Sequence, residues 1–233
     1  MKLFIIHGWA YSTAKWQTAL DLLAKSGVEP VMLNVPGLTS PSDQVWNIDS
    51  YVEWLNEQLK HTKNPVVLGH SNGGRIALNY CLKYPTKIKH LLLLDSAGIA
   101  NTSKLVSFKL NILKTLAKLL KPTKFIPGFN KLIHRLIGAS DYQQAPANMK
   151  QTLRNMIESD KNLELSKITT PVSLIWGHQD GQTPLNDAYK LSRLLPGAKS
   201  VEVIDDARHA PYDTHPQELV ERLIKIIDTE KLR

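Results

Sequence analysis

Residues 65–77 read Pro65-Val66-Val67-Leu68-Gly69-His70-Ser71-Asn72-Gly73-Gly74-Arg75-Ile76-Ala77. A short apolar, β-branched run passes without a spacer into a stretch of helical pattern, and G-x-S-x-G lies at the junction. In a strand-turn-helix context this pattern makes a tight elbow: the turn holds the serine in strained backbone geometry, and flanking glycines avoid clashes. Ser71 is therefore expected to project from the C-terminal edge of a sheet. The helix starting near Asn72 would aim free N–H groups and its positive dipole end at the same point. The five-residue pattern alone arises by chance, and its placement between strand and helix is what gives it weight.

Outward from the elbow, strand-like runs recur at 3–6, 30–35, 65–70, 88–95, 171–177 and 199–205. Amphipathic segments at 13–25, 50–61, 72–84, 184–194 and 216–227 fill the gaps, with Gly27 and Gly197 read as ending two of them. Near-continuous apolar strands alternating with helices predict a parallel sheet covered on both faces, because right-handed crossovers place helices on each side. The expectation is an α/β, doubly wound, mainly parallel sheet of about six strands. The rhythm breaks once. Residues 99–166 show no convincing strand, only helical pattern interrupted at Pro122, Pro127, Gly138 and Pro146. They are read as an all-helical cap inserted into a core of residues 1–98 and 167–233. The first cap helix, near 103–121, carries Lys104, Ser107, Asn111, Lys114, Lys118 and Lys121 on one stripe and apolar residues elsewhere. That pattern fits a helix packed over the core with a solvated lysine stripe, the other reading being a membrane-surface or acidic-partner role.

A chain of 233 residues suits one such domain, and 42% apolar with 21% charged residues is a globular composition. The net charge of +8 is local: residues 96–140 hold eight Lys or Arg and no acidic residue. No run reaches the ~20 apolar residues of a membrane span, and the apolar start of the chain has no cleavage pattern after it, so it reads as a strand. Cys81, the only cysteine, lies in an apolar helical stretch and reads as a small buried side chain. Without a disulfide, a signal peptide or a span, a cytoplasmic location is expected.

The order of motifs resembles the α/β-hydrolase family, specifically capped esterases, lipases and carbon–carbon bond hydrolases, over nearly the whole length. The matches are His7-Gly8-Trp9 after the first strand, Pro36-Gly37 after the second, the elbow, and Asp95-Ser96-Ala97-Gly98. Trp176-Gly177-His178-Gln179-Asp180 with Pro184 follows, then Arg208-His209 with Pro211 and Pro216. A serine alcohol needs a base, and the base an orienting acid. The resemblance implies the order Ser, acid, His, hence Ser71 as nucleophile, Asp180 as acid and His209 as base. Asp95, at the end of the preceding strand, is the alternative acid, Asp205 and Asp206 lie too close to His209 in sequence, and His215 is the rival histidine. Backbone N–H groups of Asn72 and Trp9 are the implied oxyanion donors. His7 and His70 are expected to pack and hydrogen-bond beneath the site.

Two departures stand out. The chain lacks two strands that larger members place before the first, and Arg208 stands where the family usually has glycine before the histidine. A serine nucleophile argues against dehalogenase and epoxide-hydrolase relatives, which attack with aspartate. Neither a metal nor a cofactor is expected, since no metal-ligand spacing such as H-E-x-x-H occurs. The implied reaction is hydrolysis of a small-molecule carboxylic ester or related acyl substrate through an acyl-serine intermediate. Carbon–carbon bond hydrolysis of a ring-cleavage product is the alternative and would need a carboxylate-binding group, with Arg75, Arg135 and Arg154 as candidates. A non-catalytic binding protein and a nucleic-acid binder using the basic segment are weaker readings. Neither nucleic acid nor stable membrane insertion is expected, and the sequence does not set the oligomeric state.

Overall fold

The computed structural model describes residues 1–99 and 145–232. Six strands form one sheet: β1 (Lys2–Ile6), β2 (Glu29–Met32), β3 (Val66–His70), β4 (His90–Leu94), β5 (Val172–Gly177) and β6 (Ala198–Ile204). Their order is β2-β1-β3-β4-β5-β6 and every pairing is parallel. The expected doubly wound sheet is therefore observed. The helices are α1 (Gln17–Lys25), α2 (Ile48–Leu59), α3 (Asn72–Lys83), α4 (Ala147–Ser159), α5 (Leu185–Leu194), α6 (Pro211–Thr214) and α7 (Pro216–Thr229).

Side chains alternate across a strand, so one sheet feeds two cores. Phe4, Ile6, Val67, Leu91, Leu93, Leu174 and Trp176 point to the face covered by α2, α3, α4 and α5. Leu3, Ile5, Val66, Leu68, Leu92, Leu94 and Ile175 point to the face covered by α1 and α7. Burial on both sides explains why the central strands read as unbroken apolar runs.

Several boundaries differ from the sequence reading. The β2 ladder ends at Met32, short of residue 35; Leu33 N–H still reaches the Ile5 carbonyl at 2.9 Å, and Leu33 and Val35 are buried in the main core. Helix α2 starts at Ile48, with Asn47 as cap and Ser50 completing a capping box. Residues 14–16 form a separate 3-10 turn ahead of α1, which buries Trp16. Gly197 does not end a helix. It faces the Thr170 carbonyl so closely that no Cβ would fit, and its own carbonyl accepts from Val172 N–H at the β5–β6 irregularity.

Between β4 and β5 the described chain contains α4 and two 3-10 turns, Asp160–Asn162 and Leu165–Lys167. Met149, Met156 and Leu165 belong to the main core. Asn148 and Asn155 donate to carbonyls of Ser42, Gln44 and Trp46, and Thr152 Oγ1 accepts from Trp46 N–H. The lysine-striped segment 103–121 lies outside the described residues.

Sheet direction reverses between β1 and β3: the chain goes outward to β2, then crosses back over β1. A crevice opens at such a switch point beyond the C-terminal strand ends. Ser71 ends β3 there.

Candidate active site

Ser71 sits at φ 51°, ψ −119°, a backbone conformation that L-residues rarely adopt. The turn survives because its neighbours leave no room for side chains. A Cβ on Gly69 would lie 2.6 Å from Gly74 Cα, and one on Gly73 would overlap the Ile6 carbonyl. The elbow is thus pressed against β1 and its own helix, and only glycine fits on either side.

His209 lies in the loop after β6. Its Nε2 is 2.9 Å from Ser71 Oγ and its Nδ1 is 2.8 Å from Asp180 Oδ2. With Nδ1–H donating to the carboxylate, Nε2 is left to accept the serine proton. Asp180 follows β5 in a turn where its Oδ1 accepts from the N–H groups of Gln182 (2.7 Å) and Thr183 (3.0 Å). Thr183 Oγ1 donates to its Oδ2 at 2.6 Å. Burial pushes the Asp180 carboxyl up, but the His209 contact and these donors outweigh it and hold the group below the usual carboxylate range.

Asp95 ends β4 beside this turn and makes a different set of contacts. It is fully buried, its Oδ1 accepts from Gly177 N–H at 2.9 Å, and its Oδ2 has no hydrogen-bond partner. Burial first and the Asp180 charge second raise it well above the ordinary carboxyl range. Asp95 supports the end of β5 through Gly177 N–H, and Asp180 contacts His209.

The loop after β1 reaches the same point. A Cβ on Gly8 would be 3.0 Å from Ser71 Cβ and 2.9 Å from His70 Nδ1, so the loop at Gly8 lies close against the elbow. The N–H groups of Trp9 and Asn72 form no hydrogen bond with the described residues. His7 anchors this loop: its Nδ1–H donates to the Gly8 carbonyl, and its Nε2 accepts from Thr39 Oγ1, both at 2.8 Å. Burial lowers its pKa, partly offset by that carbonyl.

His70 donates from Nε2 to the His209 carbonyl at 2.8 Å, and burial with the nearby His209 ring pushes it down to about 3. Its ring stands edge-on to Tyr212, which stacks on Trp16 with ring centroids 3.9 Å apart. The His209 loop is thereby clamped from behind. Arg208 is exposed and lacks the positive φ that would call for glycine. The tight spot lies opposite, where a Cβ on Gly177 would be 2.6 Å from the carbonyls of both Ala207 and Arg208.

His215 caps α7 and contacts Thr214, Arg154 is exposed, and Arg135 falls outside the described residues. Arg75 is buried and paired with Asp160. Thr183 and Asp160 were not anticipated. The Asp180-x-x-Thr183 spacing is a turn signal that could have pointed to the first, whereas the second meets its partner only through the fold.

Among the described residues no group of three or more His, Cys, Asp or Glu side chains is placed to hold a metal ion. No described helix is long and apolar enough to cross a membrane.

Residues 3–125 match the model of a family described as alpha/beta hydrolase fold. The chain is 26% identical over 238 residues to a pimeloyl-[acyl-carrier protein] methyl ester esterase of Aliivibrio fischeri strain MJ11, covering 95% of this chain and 91% of that one. It is likewise 26% identical over 233 residues to the enzyme of that name from Neisseria meningitidis strain FAM18, covering 93% and 89%. Among solved structures, MGS-MChE2, an alpha/beta hydrolase from a lagoon-sediment metagenome, superposes with a TM-score of 0.68 at 24% identity, covering 99% and 92%.

Proposed function

This chain belongs to the alpha/beta hydrolase fold family, and from that premise we propose that it is a serine esterase working through an acyl-serine intermediate. The observation that carries the reading is the contact chain Ser71 Oγ–His209 Nε2 and His209 Nδ1–Asp180 Oδ2, at 2.9 and 2.8 Å. In the proposed mechanism Ser71 Oγ attacks the ester carbonyl while its proton passes to His209 Nε2. The resulting imidazolium is held by Asp180. The tetrahedral oxyanion is received by the Trp9 and Asn72 N–H groups. Collapse expels the alcohol, which takes the proton from His209. Water then repeats the sequence with His209 as base, releasing the acid and restoring Ser71. We assign the role of cap to the insertion 99–166 and read the enzyme as cytoplasmic.

The substrate in the relatives' name, a methyl ester of a carrier-bound pimeloyl chain, is the first specific substrate to try. Carbon–carbon bond hydrolysis is disfavoured because Arg75, the described buried arginine near the serine, is already bound to a carboxylate of the chain itself. Turnover of p-nitrophenyl acetate and butyrate by the wild type and by Ser71→Ala tests the reading. Activity lost in a folded variant supports it, and activity that persists sinks it.

A further inference from the structure

The guanidinium of Arg75, in the first turn of α3, uses one rigid plane to hold three acceptors. Nε and Nη2 donate to the two carboxylate oxygens of Asp160 at 2.7 and 2.8 Å, and Nη1 donates to Asn72 Oδ1 at 2.5 Å. Both charged side chains are more than nine-tenths buried. Asp160 arrives from a distant part of the chain, immediately after α4, which is itself fastened to the 42–46 loop. A cation in the first turn of a helix opposes the helix dipole, and a buried ion pair is a weak stabiliser compared with apolar residues of the same size. Stability alone therefore does not account for it, whereas its geometry has an obvious target. Asn72 carries the N–H that would meet the oxyanion, and it follows the strained Ser71 directly.

We propose that Asp160, acting through Arg75, is a positioning residue that fixes Asn72 in the oxyanion site. The inference rests on the acyl-serine reading above. Around the strained residue, Ser71 N–H is tied to the Leu94 carbonyl at 3.1 Å, the Ser71 carbonyl accepts from Ala97 N–H at 3.0 Å, and His70 is held in the β3–β4 ladder. Gly73 and Gly74 block movement toward β1 and Ser96. The Arg75 fork restrains the first turn from the other direction by gripping the Asn72 side chain. Asp160 sets the plane of the fork, so the direction of Nη1 follows from where the chain beyond α4 is anchored. Lysine could supply the charge but not three fixed donor directions.

The test uses the full chain with both partners replaced, Arg75→Met/Asp160→Leu, which leaves no unpaired buried charge. Fluorophosphonate titration of Ser71 counts folded active sites, so turnover is expressed per site. The expected result is a loss of roughly 10- to 100-fold in kcat with KM unchanged. The inhibition constant of a trifluoromethyl ketone, which needs the same donors, should rise by the same factor. Asn72→Ala should show the same loss, and adding it to the double variant should cost nothing more, since all three act as one unit. Arg75→Lys should stay low. Unchanged kcat per titrated site and unchanged inhibitor affinity in the double variant would overturn the proposal, as would additive losses with Asn72→Ala. Wild-type turnover that survives Ser71→Ala would instead remove the reading on which it rests.

Discussion

Asp95 and Asp180 follow neighbouring strands, yet their surroundings shift the two carboxyl groups in opposite directions. Asp180 accepts from His209, Thr183 and two backbone N–H groups, all of which favour the anion. Asp95 meets one N–H and a like charge in a fully buried site. Asp180→Asn should therefore cost on the order of 10³- to 10⁴-fold in kcat with folding kept, because the amide stabilises the wrong tautomer of His209. Asp95→Asn should leave kcat unchanged. Asparagine keeps the acceptor for Gly177 N–H and tolerates the positive φ of 43° at this position. Steady-state kinetics of the two variants side by side decide the matter, and a large loss in the second would mean that Asp95 is ionised and used. Cys81 gives a simpler check. Burial pushes its thiol up to about 12, so Ellman's reagent should leave it unmodified in the native protein and react once urea unfolds the chain.

The loop bearing His209 is positioned by elements that never touch the serine. Helix α6 holds Tyr212 against Trp16, and Asp213 reaches Lys15 on the surface beside it. The exposed ion pair contributes little, so the aromatic stack is the main restraint. Tyr212→Ala should lower kcat and raise amide exchange across 205–214, while the β3–β4 ladder stays protected. Exchange spread evenly over the sheet would show general destabilisation instead. At the opposite wall, Gly177→Ala should cost about 2 kcal/mol or more in urea unfolding, since a methyl 2.6 Å from two carbonyls displaces either β5 or the His209 loop.

For the molecule as a whole, the buried histidines set the acid limit of stability. His70 is held down to about 3 and His90, bonded to Ser173 within the sheet, to about 4, in both cases mainly by burial. Each is neutral when folded but binds a proton in the unfolded chain below its ordinary pKa near 6.5. The unfolded state therefore takes up more protons between about pH 6 and 4, and stability falls as pH falls. Each histidine contributes a slope of about 1.4 kcal/mol per pH unit there. Urea melts at pH 6.5, 5.5 and 4.5 should show this fall, and His90→Asn should flatten it by about one histidine's share. An unchanged slope in that variant would mean that His90 is already protonated when folded.

The sequence by itself determined the sheet and the glycine-bracketed elbow. Apolar strands buried on both faces and a glycine-bracketed serine are local signals, set by side-chain period and steric exclusion within a few residues. Ser71, Asp180 and His209, named from the order of motifs, lie in mutual contact in the fold. The tertiary structure alone decided what depends on partners far apart in the chain. Asp95 differs from Asp180 in its donors, one N–H against His209, Thr183 and two N–H groups. Arg208 is tolerated because the close approach belongs to Gly177, and Val35 leaves its strand for the core. Asp160 meets Arg75 across eighty-five positions. Charge state, close packing and long-range pairing are properties of a neighbourhood in space, and linear spacing does not encode them.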